Sequence, residues 1–236
     1  MISIGEMERG VLNMKNGFND STIPWVQPDM KGFDFRTAPE YIASQTDVEA
    51  YQRDGVVVIR GAFEDWVPEL SNGLARNIDN PQAYRFPCES NPTGAPGRFF
   101  DSYCNWDLIP EYRNFITCSS VGSMAGQFAD SQKIQLFHEH AFVKEPGTQQ
   151  ATPWHQDMPY YCIQGVQTVS VYISLDYADS DVAVRFVKGS HKWGRQFFPR
   201  VFLDGEDFNT NNTSLESVPD INTTDFDIFE SALAPG

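Results

Sequence analysis

His155 and Asp157 stand two apart in the stretch Thr152 to Tyr161, TPWHQDMPYY, surrounded by aromatic residues. Residues i and i+2 of an extended segment point to the same side, so an imidazole and a carboxylate at this spacing can reach one ion. They supply two of the three ligands of the facial arrangement that leaves positions open on a non-haem Fe(II). The same pair also suits a solvated or core-satisfied His–Asp contact, so the flanking sequence has to separate the two readings.

Upstream, KIQLFHEHAFVK (133–144) has a period of two, which puts Ile134, Leu136, His138, His140, Phe142 and Lys144 on one face of a regular strand. Two histidines and a lysine on one face can line a polar site. They can equally be hydrogen-bonded, half-buried side chains with Lys144 snorkelling at the strand end. Glu145-Pro146-Gly147 ends the strand by turn chemistry. Downstream, Val166 to Leu175 alternates, with Val169, Val171, Ile173 and Leu175 opposite Thr168, Ser170, Tyr172 and Ser174. A polar inward face suits a barrel holding a hydrophilic ligand, although a solvated outer face would alternate in the same way.

The elements that must position these residues follow from the rest of the chain. Residues 1–45 read as an irregular arm rich in Gly, Pro, Asn and Asp. Thr46 to Glu49 fits a capping box, predicting a helix to about Arg53, and Val56 to Ile59 is the β-branched run of a buried strand. Trp66, Val67, Leu70, Leu74 and Ile78 predict an amphipathic helix over about 64–78, its stripe being core. Four prolines in 80–98 predict a long loop, and Pro110 opens a helical pattern through Tyr112, Phe115, Ile116, Met124 and Phe128. Residues 46–130 are thus mostly helical and 131–194 hold the strands, including Val182 to Lys188 before the Gly189-Ser190-His191 turn. Residues 195–236 read as an acidic insertion, with eight acidic residues and no Lys or Arg after position 201.

With 236 residues the chain is long enough for one domain with a real core. Its net charge of -15, from 17 basic and 32 acidic residues, would repel phosphate backbones and anionic lipids, so neither nucleic acid nor a membrane surface is expected as a partner. The N-terminus lacks the basic flank and apolar core of a signal peptide, which predicts a cytoplasmic protein. Cys88, Cys104, Cys118 and Cys162 are scattered and read as reduced thiols rather than a zinc cluster. Oligomeric state is not written in the pattern.

Taken together, YQRDGVVVIRGAF, FVKEPGT, PWHQDMPYY and VSVYISLDYADSDVAVRFVKGSHKWG resemble, in order and spacing over about residues 46–194, the phytanoyl-CoA dioxygenase family of Fe(II)- and 2-oxoglutarate-dependent oxygenases. The resemblance implies a mainly β fold with flanking helices (α+β), a double-stranded β-helix or jelly-roll barrel. It implies that His155 and Asp157 are the first two iron ligands and that Lys144 binds the 2-oxoglutarate carboxylate. His140, Tyr172 and Arg98 match positions lining that cosubstrate, and His138 matches a substrate contact. Trp154, Tyr160 and Tyr161 are placed to exclude water from the reaction beside the substrate, or to pack as aromatics commonly do. The expected partners are a small organic substrate and dioxygen, with hydroxylation the expected outcome; related halogenases lack the carboxylate that Asp157 provides.

Two departures stand out. Asp181-Val182 occupies a turn where many relatives have Gly. The family's distal histidine and cosubstrate-binding arginine lie further along than this sequence goes, and His191 matches a turn histidine that is not a ligand. The expectation is therefore a fragment whose barrel is incomplete at the C-terminus. The competing expectation is a non-catalytic jelly-roll binding or sensing module with an incomplete metal site.

Overall fold

Ser44 opens the first helix, α1 (Gln45–Asp54): its hydroxyl accepts the Asp47 N–H at 3.1 Å, and Gly55 ends the helix in the left-handed region at φ 79°. The cap thus lies two residues before the predicted Thr46, because the Ser44 hydroxyl takes the free Asp47 N–H of the first turn and itself donates to the Asp47 carboxylate. A computed structural model describes residues 2–5, 38–90, 96–149, 151–202, 205–222 and 225–236; most of the predicted N-terminal arm, residues 6–37, lies outside them.

One 3₁₀ turn (Glu64–Trp66) leads into α2 (Val67–Asp79), matching the predicted amphipathic stretch. The helical pattern after Pro110 divides into α3 (Pro110–Cys118) and α4 (Val121–Ala129), because Ser119 adopts an extended ψ of 173° between them. Their apolar stripes meet in a core of Phe63, Leu70, Ile109, Phe115, Val121, Met124, Ala125 and Phe128. Phe115 sits at its centre, edge-on to Phe63 at 5.1 Å and to Trp66 at 5.5 Å. The predicted strand at Val56 to Ile59 joins no ladder among the described residues; Val57 and Ile59 instead pack against this core from an extended connection.

The helices cover one face of an antiparallel sheet built from β1 (Ile2–Gly5), β2 (Cys88–Ser90), β3 (Phe99–Tyr103), β4 (Leu136–Lys144) and β5 (Thr168–Val171), in the order β2-β3-β4-β1-β5. Part of the predicted 80–98 loop is thus strand β2. On β5 the alternation is as read: Val169 is buried, Val171, Ile173 and Leu175 pack towards the helices, and Ser170 and Tyr172 take the other side. The ladder stops at Val171, shorter than the alternating sequence.

Strand β4 is not regular. Its pairing with β1 steps from Ser3↔His138 to Ile4↔Leu136, leaving Phe137 as the extra residue of a bulge. Leu136 and Ala141 consequently both pack on the helical core, although one is even and the other odd. The single face predicted from Ile134 to Lys144 therefore holds only from His138 onward, because the bulge turns Ile134 and Leu136 to the core.

A second sheet pairs β6 (Phe186–Val187) with β7 (Ile228–Phe229). Strand β7 comes from the segment expected to be a solvated insertion, so that segment, although largely exposed, also pairs with the second sheet. Acidic residues of that segment meet basic residues of 185–200: Glu230 with Arg185 at 3.4 Å, Asp227 with Lys188 at 3.1 Å, Glu216 with Arg195 at 2.6 Å and Asp207 with Arg200 at 3.0 Å. A one-signed charge run looks solvated when read alone. Its complement lay between 7 and 45 residues upstream.

The expected α+β class stands, but the expected predominance of β does not: helices hold more of the described residues than strands. The two sheets do not join into a closed barrel among the described residues, so the jelly roll implied by the resemblance is not seen here. No helix among the described residues is long and apolar enough to cross a membrane.

Candidate functional site

His155 and Asp157 converge, though not as strand neighbours. Asp157 has helical backbone angles, φ -69° and ψ -43°, and leads into a 3₁₀ turn, Met158–Tyr160. This turn, rather than an extended period of two, brings His155 Nε2 to 3.3 Å from Asp157 Oδ1. His155 Nδ1 lies 2.8 Å from the Pro153 carbonyl, an acceptor only, so Nδ1 carries the proton and Nε2 presents its lone pair in the neutral ring. Orientation of a ligating imidazole through its second nitrogen is a usual support of metal sites.

The electrostatics of the pair are mutual. Burial opposes charge on His155, but the hydrogen bonds to Asp157 and to the Pro153 carbonyl outweigh it and raise its pKa above the ordinary value. For Asp157, burial likewise favours the neutral acid; hydrogen bonds from His155 and from the Tyr161 hydroxyl overcome it and lower the carboxyl. Ser170 Oγ on β5 faces the other oxygen, Oδ2, at 3.5 Å.

The turn is held from outside by residues 195–202. Gln156 accepts from the Phe197 N–H at 3.2 Å and donates to the Arg195 carbonyl at 3.3 Å. The Tyr160 hydroxyl donates to the Arg200 carbonyl at 2.8 Å and accepts from the Arg200 N–H at 2.6 Å. Tyr160 and Phe202 flank the His155 ring at 5.7 and 4.8 Å. The Trp154 carbonyl accepts from Arg200 at 3.4 Å, while its ring lies under the Arg185 guanidinium at 5.4 Å and borders a cavity of about 260 Å³ with Arg200, Val218 and Ile221.

On β4, His138 and His140 lie on the side facing this turn, their rings 6.4 Å apart. The His138 ring is 5.3 Å from Tyr161, and its buried Nδ1 has no hydrogen-bond partner among the described residues. Burial and the neighbouring His140 lower the His138 pKa to about 4, so the ring is neutral near pH 7. His140 Nε2 is 3.7 Å from Asp101. Further along the face Phe142 meets Tyr172 at 5.7 Å, and burial followed by Asp176 raises the Tyr172 phenol. At the strand end the Lys144 ammonium donates to Thr152 Oγ1 at 2.8 Å and lies 5.6 Å from the centre of the Phe99 ring, its pKa lowered by desolvation.

Arg98 is placed differently. Its Nε donates to Glu145 Oε1 at 2.7 Å, so the guanidinium is already engaged with a carboxylate at the strand end. His191 sits away from the pair, at 3.2 Å from the Gln52 carbonyl beneath the end of α1. A larger cavity, about 440 Å³, opens beside Lys188, Trp193, Phe226 and Asp227 on the second sheet, but its cations are paired with Asp227 and Glu216 and it contains neither His155 nor Asp157.

The donor set fits a divalent ion at two positions, with imidazole and carboxylate facing each other and the imidazole tautomer fixed. No group of three His, Cys, Asp or Glu side chains able to hold an ion occurs among the described residues. Several neighbours were not singled out from the sequence: Ser170, Phe137 and Phe202, and the stacked, exposed pair Phe86–Tyr103 at 4.8 Å, whose Tyr103 ring is 5.4 Å from His140. Ser170 was readable as a polar-face residue of β5, whereas nothing local to Phe202 or Phe86 signals proximity to the turn.

No curated protein and no solved structure matches the chain. The family profile described as Phytanoyl-CoA dioxygenase (PhyH) matches residues 51–223, a span that runs from α1 through the His155–Asp157 turn and across most of the acidic segment. The chain therefore belongs to the phytanoyl-CoA dioxygenase family.

Proposed function

We propose that this protein is an Fe(II)- and 2-oxoglutarate-dependent oxygenase that hydroxylates a small organic substrate. The observation that carries the reading is the convergence of His155 Nε2 and Asp157 Oδ1 at 3.3 Å, with Nδ1 turned to the Pro153 carbonyl, inside the span shared with the family. Bound there with 2-oxoglutarate and dioxygen, iron supplies oxidative decarboxylation to succinate and carbon dioxide and the oxidising power for C–H hydroxylation.

The chain's own residues divide the remaining work. Lys144, whose ammonium donates to the neutral Thr152 hydroxyl, offers a cation to the distal carboxylate of the cosubstrate. His140 and Tyr172 line the same face, while Arg98 reaches a ligand only by sharing or leaving Glu145. His138, neutral near pH 7, can hydrogen-bond a substrate, and Trp154 and Tyr160 present rings that exclude water, since the Tyr160 hydroxyl is committed to Arg200. The net charge of -15 argues against nucleic acid or anionic membrane as partner, and the free thiols of Cys104, Cys118 and Cys162 suit a reducing compartment such as the cytoplasm.

A second reading, a binding or sensing module without turnover, draws on the lack of a third ligand among the described residues. Anaerobic addition of Fe(II) and 2-oxoglutarate separates the two. The oxygenase reading expects a weak visible charge-transfer band, absent in His155→Ala, and succinate formation once oxygen is admitted. A folded protein with neither band nor succinate sinks it.

A further inference from the structure

The stretch that carries His155 belongs to no helix or strand: residues 152–156 lead without regular structure to Asp157 and the 3₁₀ turn behind it. Ligands on such a segment are held less closely than ligands on a helix or strand unless something outside fixes them. Arg200 supplies a hold on both sides of the pair. Ahead of His155, its Nη1 donates to the Trp154 carbonyl at 3.4 Å. Beyond Asp157, its backbone N–H donates to the Tyr160 hydroxyl at 2.6 Å, and that hydroxyl donates to the Arg200 carbonyl at 2.8 Å. The Tyr160 N–H in turn donates to the Asp157 carbonyl at 3.0 Å, so the hold on the phenol reaches the carboxylate residue through one backbone hydrogen bond. Two residues after Arg200, the Phe202 ring lies 4.8 Å from the His155 ring.

The guanidinium is aimed from the acidic segment. Residues 199–201 run antiparallel to 206–208, with the Val201 N–H on the Glu206 carbonyl and the Phe208 N–H on the Pro199 carbonyl, both at 2.9 Å. This pairing sets Asp207 beside Arg200, Nε to Oδ1 at 3.0 Å, while Ser217 Oγ donates to Asp207 Oδ2 at 3.1 Å. Of the four ion pairs described above between this segment and residues 185–200, it is the one with both side chains largely covered, at 26% and 21% exposure, and so the least weakened by water.

We propose that Arg200 is a positioning residue for the metal site, clamping the ligand-bearing turn on both sides of His155 and Asp157, and that Asp207 of the acidic segment aims its guanidinium for this role. The inference rests on the metal-site reading above. Without the clamp, residues 152–160 sample more backbone conformations, and an ion has to restrict them on binding. Groups that orient metal ligands typically contribute 10- to 100-fold in affinity.

The test is Mn(II) titration of the metal-free protein by calorimetry, at a temperature where circular dichroism shows each variant folded. Tyr160→Phe, Arg200→Gln, Asp207→Asn and Arg195→Gln are compared with the parent. Tyr160→Phe, which keeps the ring but loses both bonds to the Arg200 backbone, is expected to weaken Mn(II) binding by about 10-fold. Arg200→Gln should weaken it in the same direction and Asp207→Asn by less, while Arg195→Gln, which breaks the exposed pair with Glu216, should bind as the parent does. A hydrogen-exchange arm needs no metal: residues 154–160 should exchange faster in Tyr160→Phe and Arg200→Gln, with β4 at the parent rate. Parent-like affinity in either of these two variants overturns the two-sided clamp. So does a loss in Arg195→Gln equal to that in Arg200→Gln, or exchange that rises equally in β4, since each describes general loosening. Parent-like affinity in Asp207→Asn overturns the part given to the acidic segment. Should Arg200→Gln fail to fold, Tyr160→Phe and Asp207→Asn decide the matter. Failure of the parent itself to bind Mn(II) overturns the metal-site reading and the positioning role with it.

Discussion

Glu139 and His138 are adjacent on β4, yet they face opposite worlds. Glu139 looks to the helices, is almost fully buried, and accepts the backbone N–H groups of Asn105 and Trp106, the latter at 2.9 Å. His138 looks to the His155–Asp157 turn among Tyr161, His140 and Tyr103. Both are pushed towards neutrality by burial, one acid up and one base down. The core face uses its polar group to tie a turn between β3 and α3. The site face keeps a polar atom, His138 Nδ1, without a partner among the described residues. The difference teaches that one strand turns a turn-tying carboxylate to the core and a half-buried imidazole to the His155–Asp157 turn, and that each face should fail in its own way.

The largest expected effect lies behind the core face. Phe115→Ala removes a ring that is 1% exposed at the centre of the helical core and should cost about 3–5 kcal/mol in urea unfolding. The counterpart on the site face, Asp157→Ala, should abolish Mn(II) binding in calorimetry while changing metal-free stability by no more than about 1 kcal/mol. A strongly destabilised Asp157→Ala protein would break the separation of roles.

Protonation sharpens the contrast between the two β4 neighbours. Glu139 is raised from 4.5 to about 7, mainly by burial and against the pull of its backbone donors. The folded state then binds more protons than the unfolded one, so this contribution is complete below about pH 4.5 and is lost as pH rises through about 7, on the order of 2–3 kcal/mol. For His138, lowered from 6.5 to about 4, the sign reverses: its contribution is complete above about pH 6.5 and is lost as pH falls through about 4. Glu139→Gln should therefore leave stability that rises with pH over this range, and His138→Gln stability that falls. Equal slopes in denaturation curves of the two variants would refute the opposition.

Metal affinity has its own pH signature. An ion must displace the proton from His155, whose pKa lies above its ordinary 6.5, so Mn(II) affinity should already be declining at pH values above 6.5 as the solution is acidified. The smallest effect belongs to the exposed pairs of the acidic segment. Arg195→Ala, which breaks a pair with Glu216 exposed on both sides, should lower the unfolding midpoint only slightly, and less still in high salt.

What could be read from the sequence follows the range of the interaction that decides each element. The His155–Asp157 pairing is local, and so is the alternation of β5, and both were legible. The means of the pairing was not, because a turn and a strand can each bring residues two apart together. The bulge escaped because its signal is a pairing with β1, more than a hundred residues away. Arg98 matched a position that lines the cosubstrate, but only the fold shows Glu145 already at its Nε. Strand β7 was hidden in an acidic run whose partners, Arg185 and Lys188, are distant in sequence. The closed barrel was an expectation from resemblance rather than from any local pattern, and the described strands do not close one.

The bulge at Phe137 also changes how β4 should tolerate substitution. A strand with an uninterrupted period accepts polar replacements at every second position along its whole length. Here the phase must slip once. Before the slip the even position Leu136 is the one that resists polar replacement; after it, the odd positions Glu139 and Ala141 resist changes of size, and the even ones from His138 onward lie on the side of the His155–Asp157 turn instead. A saturation scan of residues 134–144 scored for solubility would therefore draw the bulge directly, as a single inversion in an otherwise alternating row.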